Sequence, residues 1–237
     1  MSEPVRVAAV VPAAGRGERL GPGLPKALRE LSGVPMLVHA VRALSQARRV
    51  SLVVVAAPPD DVAEVQSLLD VHLTGPAELL VVPGGRTRQD SVRIALQALP
   101  DDVSVVLVHD AARPLVPSEL VDAVAAAVCA GSPAVVPCLP LADTVKRADA
   151  AGRVVETLRR DELRAIQTPQ GFRREVLVRA HAAPTAGPVT DDAGMVEALG
   201  VPVLLIAGDD EAFKVTRPLD LVLAEAVLAR RRAAGVR

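Results

Sequence analysis

The first apolar run of the chain ends in Pro12-Ala13-Ala14-Gly15-Arg16-Gly17-Glu18-Arg19-Leu20-Gly21 and continues to Pro25-Lys26. Small residues directly after a strand let backbone N–H groups approach an anion closely, and in a wound α/β sheet that carboxyl-end crevice is where ligands bind. Arg19 and Lys26 lie seven residues apart, with Gly21, Pro22, Gly23 and Pro25 stiffening the path between them. Two fixed cations beside a nest of amides suit a triphosphate, whose transferring phosphoryl charge needs preorganised donors. A solvated loop with two surface cations has the same letters, so the loop alone leaves both readings open. Two other phosphate motifs fail here. A dinucleotide fingerprint needs glycine where Leu20 stands and an acidic residue ending the second strand, and a Walker A loop needs Gly-Lys-Ser/Thr where Pro25-Lys26-Ala27 stands.

Two further clusters follow apolar runs. Pro83-Gly84-Gly85-Arg86-Thr87-Arg88-Gln89-Asp90-Ser91-Val92 opens a helical segment, and Gly85 backbone groups with the Ser91 hydroxyl could close over a nucleoside. A glycine turn before a helix cap is equally ordinary. Val108-His109-Asp110-Ala111-Ala112-Arg113-Pro114 places a carboxylate at the end of a buried run. Asp110 there suits magnesium on nucleotide phosphates, since that ion usually takes one or two protein carboxylates. The competing reading pairs Asp110 with Arg113 to fix the turn.

These residues need a scaffold, and the hydropathy pattern supplies one. The β-branched runs Val5 to Val11, Ser51 to Ala56, Glu78 to Val82, Val103 to Val108, Ala134 to Pro137 and Val203 to Ala207 read as strands covered on both faces. Between them, residues 36–47, 60–71, 89–99, 118–130, 173–182, 191–199 and 218–231 carry helical periodicity. Thr87 with Asp90 resembles a capping box, Ser118 after Pro117 marks a helix start, and Gly200 fits a C-terminal cap. Alternating strands and helices imply right-handed crossovers and an α/β fold with a doubly wound, mostly parallel, Rossmann-like sheet. No repeat or Gly/Ser linker divides residues 1–237, so a single domain is expected. Residues 141–160 break the alternation. Two β-capable runs, Thr144 to Arg147 and Val154 to Leu158, flank a polar turn with Gly152, a hairpin signal. It reads equally as an arm that reaches a neighbour or as a plain surface hairpin.

Composition excludes several classes of function. Half of the residues are hydrophobic, yet aromatics make up 1%, with Phe172 and Phe213 the whole set. The core must therefore be aliphatic, and single-strand nucleic-acid modules, which stack bases on aromatic rows, do not fit. Lys+Arg of 27 against Asp+Glu of 28 leaves a net charge of -1 and no global field for a polyanion, so no nucleic-acid partner is expected. Cys129 and Cys138 form neither a CxxC pair nor a disulfide framework, and no secretory signal is visible, which points to a cytoplasmic protein. The uncharged stretch Ala123 to Ala142 contains Gly131, Pro133, Pro137 and Pro140 and reads as helix, turn and buried strand, so no membrane association is expected. His39, His72, His109 and His181 lack the spacing of a zinc site. Arg230, Arg231 and Arg232 read as a solvated helix end.

Seven segments taken together carry a resemblance. They are Pro12 to Leu28, Gly84 to Val92, His109 to Pro114, Asp143 to Arg147, Gln167 to Phe172, Thr190 to Ala193 and Phe213 to Leu221. In this order the chain resembles the 2-C-methyl-D-erythritol 4-phosphate cytidylyltransferases. The resemblance implies the nucleotide-diphospho-sugar transferase type of fold with a protruding β-hairpin arm, and a reaction in which CTP and 2-C-methyl-D-erythritol 4-phosphate give the CDP-linked alditol and pyrophosphate in non-mevalonate isoprenoid synthesis. It also implies Arg19 and Lys26 on the CTP phosphates, and Arg160 and Lys214 on the alditol phosphate. Pro12, Ala13, Ala14, Gly15, Gly17, Gly85, Ser91 and Asp110 match nucleotide-binding positions. Asp110, Arg113, Thr144, Arg160, Thr168, Thr190 and Lys214 match substrate-side positions. Magnesium held mainly by CTP phosphates, with Asp110 as a contributor, and a homodimer embraced by the arm at 141–160 are implied as well. One departure is Ala27, where relatives commonly carry glutamine.

The residues themselves agree with such a reaction. The attacking phosphate oxygen is already anionic near neutral pH, so no general base is required, and no Ser-His-Asp or Cys-His constellation is present to supply one. A cytidylyltransferase for another alditol phosphate, such as ribitol 5-phosphate, would share the loops. A catalytically silent nucleotide-binding module would share the fold, but it would not be expected to keep Arg19, Lys26, Asp110, Arg160 and Lys214 together.

Overall fold

The structure is a computed structural model that describes residues 5–15, 26–73, 75–184 and 190–235. Arg19 and Gly17 lie outside the described residues, as does the side chain of Lys26. Strands run over Arg6–Pro12 (β1), Glu30–Leu31 (β2), Val34–Pro35 (β3), Val50–Ala57 (β4), Glu78–Pro83 (β5), Val103–Val108 (β6) and Ala134–Pro140 (β7). Lys146–Ala148 (β8), Val154–Thr157 (β9), Arg164–Ile166 (β10), Gln170–Arg173 (β11) and Leu204–Ala207 (β12) complete them. Helices cover Met36–Gln46 (α1), Val62–His72 (α2), Arg88–Gln97 (α3), Ser118–Cys129 (α4), Arg174–Ala182 (α5), Asp192–Glu197 (α6) and Pro218–Ala233 (α7).

The described strands form one eight-stranded sheet and two small ribbons. β1 pairs in parallel with β4 and β6, and β4 with β5. Side chains alternate across a strand, so Val7, Ala9 and Val11 join one apolar cluster while Ala8 and Val10 join the other. This explains why the run shows no polar alternation: both of its faces are covered. Leu37, Val41 and Leu44 of α1, Leu69 of α2 and Val121 and Val124 of α4 close the first face. Val92 and Ala95 of α3, Leu177 of α5 and Val196 of α6 close the second. A third cluster, Leu31, Met36, Leu115, Val215, Ala224 and Leu228, holds α7.

The sheet departs from simple winding next to β6. There β11 runs antiparallel to both β6 and β7, and β10 runs antiparallel to β7. Val135 pairs with Gly171 and with Leu204, so β11 and the parallel β12 lie on opposite sides of β7. Sequence patterning does not show β10 and β11, because they are short and bracket Pro169. A Cβ on Gly171 would fall 2.6 Å from Val124 Cγ1, so glycine is what lets α4 lie against this strand. Phe172 beside it is fully buried, whereas Phe213 is only partly buried against the third cluster.

Helix ends follow the expected chemistry in part. The Thr87 hydroxyl accepts from the Asp90 N–H at 3.0 Å and Gly200 has φ 72, but Ser118 is the first helical residue and Pro117 occupies the cap without a side-chain bond. Residues 59–61 form a 3-10 turn rather than the first turn of α2. The C-terminal arginines are not simply solvated: Arg230 and Arg231 both pair with Glu211, and Arg231 Nη2 donates to the Leu115 carbonyl at 2.6 Å. The hairpin is present as a separate β8–β9 ribbon whose strand residues are all exposed. Among the described residues no helix is long and apolar enough to cross a membrane.

Replacing the buried ring of Phe172 leaves a cavity at the junction of β11, β6 and α5. Phe172→Ala is expected to lower unfolding free energy by about 3–5 kcal/mol, read from urea denaturation. A loss below about 1 kcal/mol would mean that the site collapses freely.

Candidate active site

The carboxyl ends of β1, β5 and β6 open on one side of the sheet, and a cavity of about 230 Å³ lies there. Its floor is backbone. Pro12, Ala13, Ala14 and Gly15 line it together with Gly85 and Ser91, which brings the first two sequence clusters to one place. Ala13 N–H donates to the Ala56 carbonyl at 2.8 Å and Gly84 N–H to the Ala57 carbonyl at 2.6 Å, so both loops are tied to the end of β4. A Cβ on Gly84 would lie 2.5 Å from Ala14 Cβ, and only glycine permits that approach. The Ser91 hydroxyl accepts from Gly85 N–H at 3.1 Å and donates to the Thr87 carbonyl at 2.9 Å. It therefore shapes the Gly84–Gly85 turn from within.

The polar wall is built around Asp110, the one carboxylate among the described residues that line the cavity. Arg88 Nε donates to Oδ1 at 3.2 Å, and Lys214 Nζ donates to Oδ2 at 2.8 Å. Burial by itself would raise the Asp110 pKa, but Arg88 and then Lys214 outweigh it and hold the carboxyl well below the usual carboxylate range. Arg88 also donates through Nη1 to Asp192 Oδ2 at 2.6 Å. Burial opposes the charge on Arg88, and its two carboxylates more than compensate.

Behind Asp110 the backbone is held by a buried neutral network. Asp110 N–H donates to Thr168 Oγ1 at 3.1 Å, which lies 3.1 Å from His109 Nδ1, while His109 Nε2 lies 3.1 Å from the Arg113 carbonyl. Burial pushes the His109 pKa down to about 4, so the ring is neutral. Its Nε2–H then donates to Arg113 and its Nδ1 accepts from the threonine hydroxyl. Arg113 turns away from Asp110: Nη1 donates to the Ala212 carbonyl at 2.6 Å and Nη2 to the Ile166 carbonyl at 3.1 Å.

The comparisons with known proteins converge on one family. A family model described as 2-C-methyl-D-erythritol 4-phosphate cytidylyltransferase matches residues 7–230. The Streptomyces coelicolor protein of that name is 64% identical over 236 residues, covering 97% of this chain and 87% of its own, and the Frankia casuarinae protein is 66% identical over 225 residues, covering 95% and 82%. The chain belongs to the 2-C-methyl-D-erythritol 4-phosphate cytidylyltransferase family. It is thus a nucleotidyltransferase that moves CMP from CTP onto 2-C-methyl-D-erythritol 4-phosphate in non-mevalonate isoprenoid biosynthesis. Solved structures agree on the fold. The cytidylyltransferase from Thermus thermophilus matches with a TM-score of 0.74 at 37% identity, covering 95% of this chain and 100% of that one. The 4-diphosphocytidyl-2C-methyl-D-erythritol synthase from Anaerococcus prevotii matches at 0.82 and 26% identity, covering 95% and 97%.

Within this cytidylyltransferase fold, Lys214 and Asp110 stand at the cavity beside the two glycine loops. The other residues expected on the substrate side stand off its wall. Arg160 lies exposed at the base of the hairpin and donates through Nη1 to the Ala142 carbonyl at 2.6 Å. Thr144 and Thr190 are exposed, and Thr168 is buried behind Asp110. Two residues escape the sequence reading. Arg88 lines the cavity, and its signal is its place as the first residue of α3 directly after a glycine turn. Asp192 has no exposed surface, and nothing in the pair Asp191-Asp192 says which acid turns inward. Of the four histidines, His39 and His72 bond backbone carbonyls and His181 bonds Asp192, as satisfied residues do.

His109 links this site to pH. In the unfolded chain the ring protonates near 6.5, and in the folded chain only near 4. The stability it confers is complete above about 6.5 and is lost as pH falls toward 4, by up to about 3 kcal/mol. His109→Asn is expected to flatten the dependence of unfolding free energy across that window. Parallel curves for the two proteins would refute this.

Proposed function

We propose that CTP lies in the cavity with its cytosine and ribose against Pro12 to Gly15, Gly17, Gly85 and Ser91, and with its phosphates on Arg19 and Lys26. The observation that carries this reading is the meeting, in one cavity, of two glycine turns and the Asp110–Lys214 pair. Cytosine selection then rests on close backbone contacts, since neither phenylalanine lines the cavity.

The alditol phosphate binds on the open side of Lys214, with Arg160, Thr144, Thr190, Thr168 and Arg113 as its substrate-side neighbours. Lys214 has three N–H donors and gives one to Asp110, leaving two for a phosphate. Arg160 spends one Nη1 donor on Ala142 and retains the rest of its fork. An anionic phosphate oxygen attacks the α-phosphorus of CTP in line, the new P–O bond forms as the bond to the β-phosphate bridging oxygen breaks, and pyrophosphate leaves. No proton moves, so the chain supplies alignment and charge.

Asp110 also bears on magnesium. It is a single carboxylate with both oxygens already bonded to cations, which suits an ion bound mainly through CTP phosphates and only touched by the protein. When bound, magnesium would neutralise phosphate charge, and Asp110 is the residue that would meet it. The same reading takes residues 1–237 as a single domain acting in the cytoplasm. In it the chain works as a homodimer whose hairpin, residues 141–160, contacts the partner, an arrangement that the exposed Val154 and Val155 of the ribbon support.

Pyrophosphate release measured with CTP and 2-C-methyl-D-erythritol 4-phosphate tests the reading. Better turnover with ribitol 5-phosphate, or with GTP or UTP, would overturn the substrate assignment, and CTP binding without release would point to a silent binding module. In that assay Lys26→Ala is expected to keep the fold and to lower turnover by roughly 10²- to 10³-fold, as loss of one transition-state donor does. Near-normal turnover would remove Lys26 from this role. Arg160→Ala is expected to raise the KM for the alditol phosphate well above its effect on CTP. Equal losses for both substrates would move Arg160 elsewhere.

A further inference from the structure

Asp192 makes no contact with the cavity and has no exposed surface, yet it is one bond removed from the cavity's polar wall. It stands at the start of α6. Its Oδ1 accepts from His181 Nε2 of α5 at 2.9 Å and its Oδ2 from Arg88 Nη1 at 2.6 Å. Arg88 in turn reaches Asp110 through Nε at 3.2 Å, and Asp110 holds Lys214 at 2.8 Å. Four separate segments thus contribute Asp192, Arg88, Asp110 and Lys214 to one chain of charges, anion and cation alternating, that ends on Lys214.

The distances show how Arg88 is shared. A guanidinium offers five donors in a rigid fork, and beside one free carboxylate it tends to give two in parallel. Here the shorter bond goes to Asp192 and a single, longer one goes to Asp110. Asp110 Oδ2 is therefore left for Lys214. A neutral partner in place of Asp192 would hold Arg88 less firmly, and the guanidinium would turn its paired donors onto Asp110, competing with Lys214 for the carboxylate.

We propose that Asp192 is a positioning residue for the transfer reaction: by holding Arg88 it limits that arginine to one bond with Asp110, and so fixes where Lys214 presents its ammonium to the alditol phosphate. The second half of this statement rests on the substrate role given to Lys214 above, and the first half does not.

Two measurements separate them. The chain has three lysines, Lys26, Lys146 and Lys214. In protein labelled with ¹³C-lysine, the Cε signal of Lys214, assigned by its loss in Lys214→Ala, should move in Asp192→Asn while that of Lys146 stays. In pyrophosphate-release kinetics Asp192→Asn should raise the KM for the alditol phosphate by roughly tenfold with a much smaller change for CTP, as losing one charged hydrogen bond implies. Adding Asp192→Asn to Lys214→Ala should raise it no further. An unmoved Lys214 signal, equal losses for both substrates, or additive effects in the double variant would overturn the proposal. If the signal moves while Lys214→Ala leaves the alditol-phosphate KM unchanged, the positioning stands and the substrate role of Lys214 falls. Should Asp192→Asn fail to fold, Arg88→Lys, whose one nitrogen replaces the two separate nitrogens Nε and Nη1 that reach the two carboxylates, is expected to move the same signal and the same KM.

Discussion

The Asp110 carboxylate is largely buried just beyond β6, where an unpaired charge would be very unfavourable. It is tolerated because cations arrive from two distant parts of the chain, Arg88 from the start of α3 and Lys214 from the segment before α7. That requirement ties together segments more than a hundred residues apart. A doubly wound sheet meets it easily, because it delivers the ends of β1, β5 and β6 to one edge whatever lies between them in sequence.

The segment Gln167 to Gln170 performs the complementary task with neutral groups. Gln167 donates to the Asp209 carbonyl and accepts from the Asp209 N–H, at 2.8 and 3.0 Å. Thr168 accepts from the Asp110 N–H. Gln170 donates to Asp191 and accepts from the Ala193 N–H, at 2.7 and 3.1 Å. One tetrapeptide thus fixes the strand carrying Asp110, the loop leading to Lys214 and the start of the helix carrying Asp192. Buried amides suit this work, since each can donate and accept at once and satisfies two backbone or side-chain partners without adding charge.

Much of this architecture is legible in the chain. Strands buried on both faces leave an unmistakable aliphatic signature, so β1, β4 and β6 emerge within a residue or two, and β7 emerges with its start. The strands β5 and β12 emerge too, but as edge strands they are partly exposed and not covered on both faces as their apolar runs suggest. Gln170-Gly171-Phe172-Arg173 has no such signature, because the identity of Gly171 is set by the nearness of α4 and not by any preference of its own for a strand. At the site, glycine turns and the lone cations are visible as letters. The sharing of Arg88 between Asp110 and Asp192 is not, since it depends on a three-dimensional distance between residues 88 and 192 that no local spacing encodes. Likewise Ser91 is visible as a hydroxyl that could close over a nucleoside, but no local spacing shows that it also bonds its own loop on both sides.

The β8–β9 ribbon stands outside the sheet with every strand residue exposed, and Arg160 is moored to Ala142 at the point where the ribbon leaves the body. A two-stranded ribbon without an apolar face of its own has little to resist opening beyond its cross-strand bonds. The molecule should therefore be graded in stability along its length, with amides of β1 and β6 expected to exchange only on global unfolding and those of β8 and β9 through local opening. Arg160 lies at the boundary of those two regimes, so the work of keeping its guanidinium in register falls to the mooring at Ala142 rather than to the ribbon beyond it.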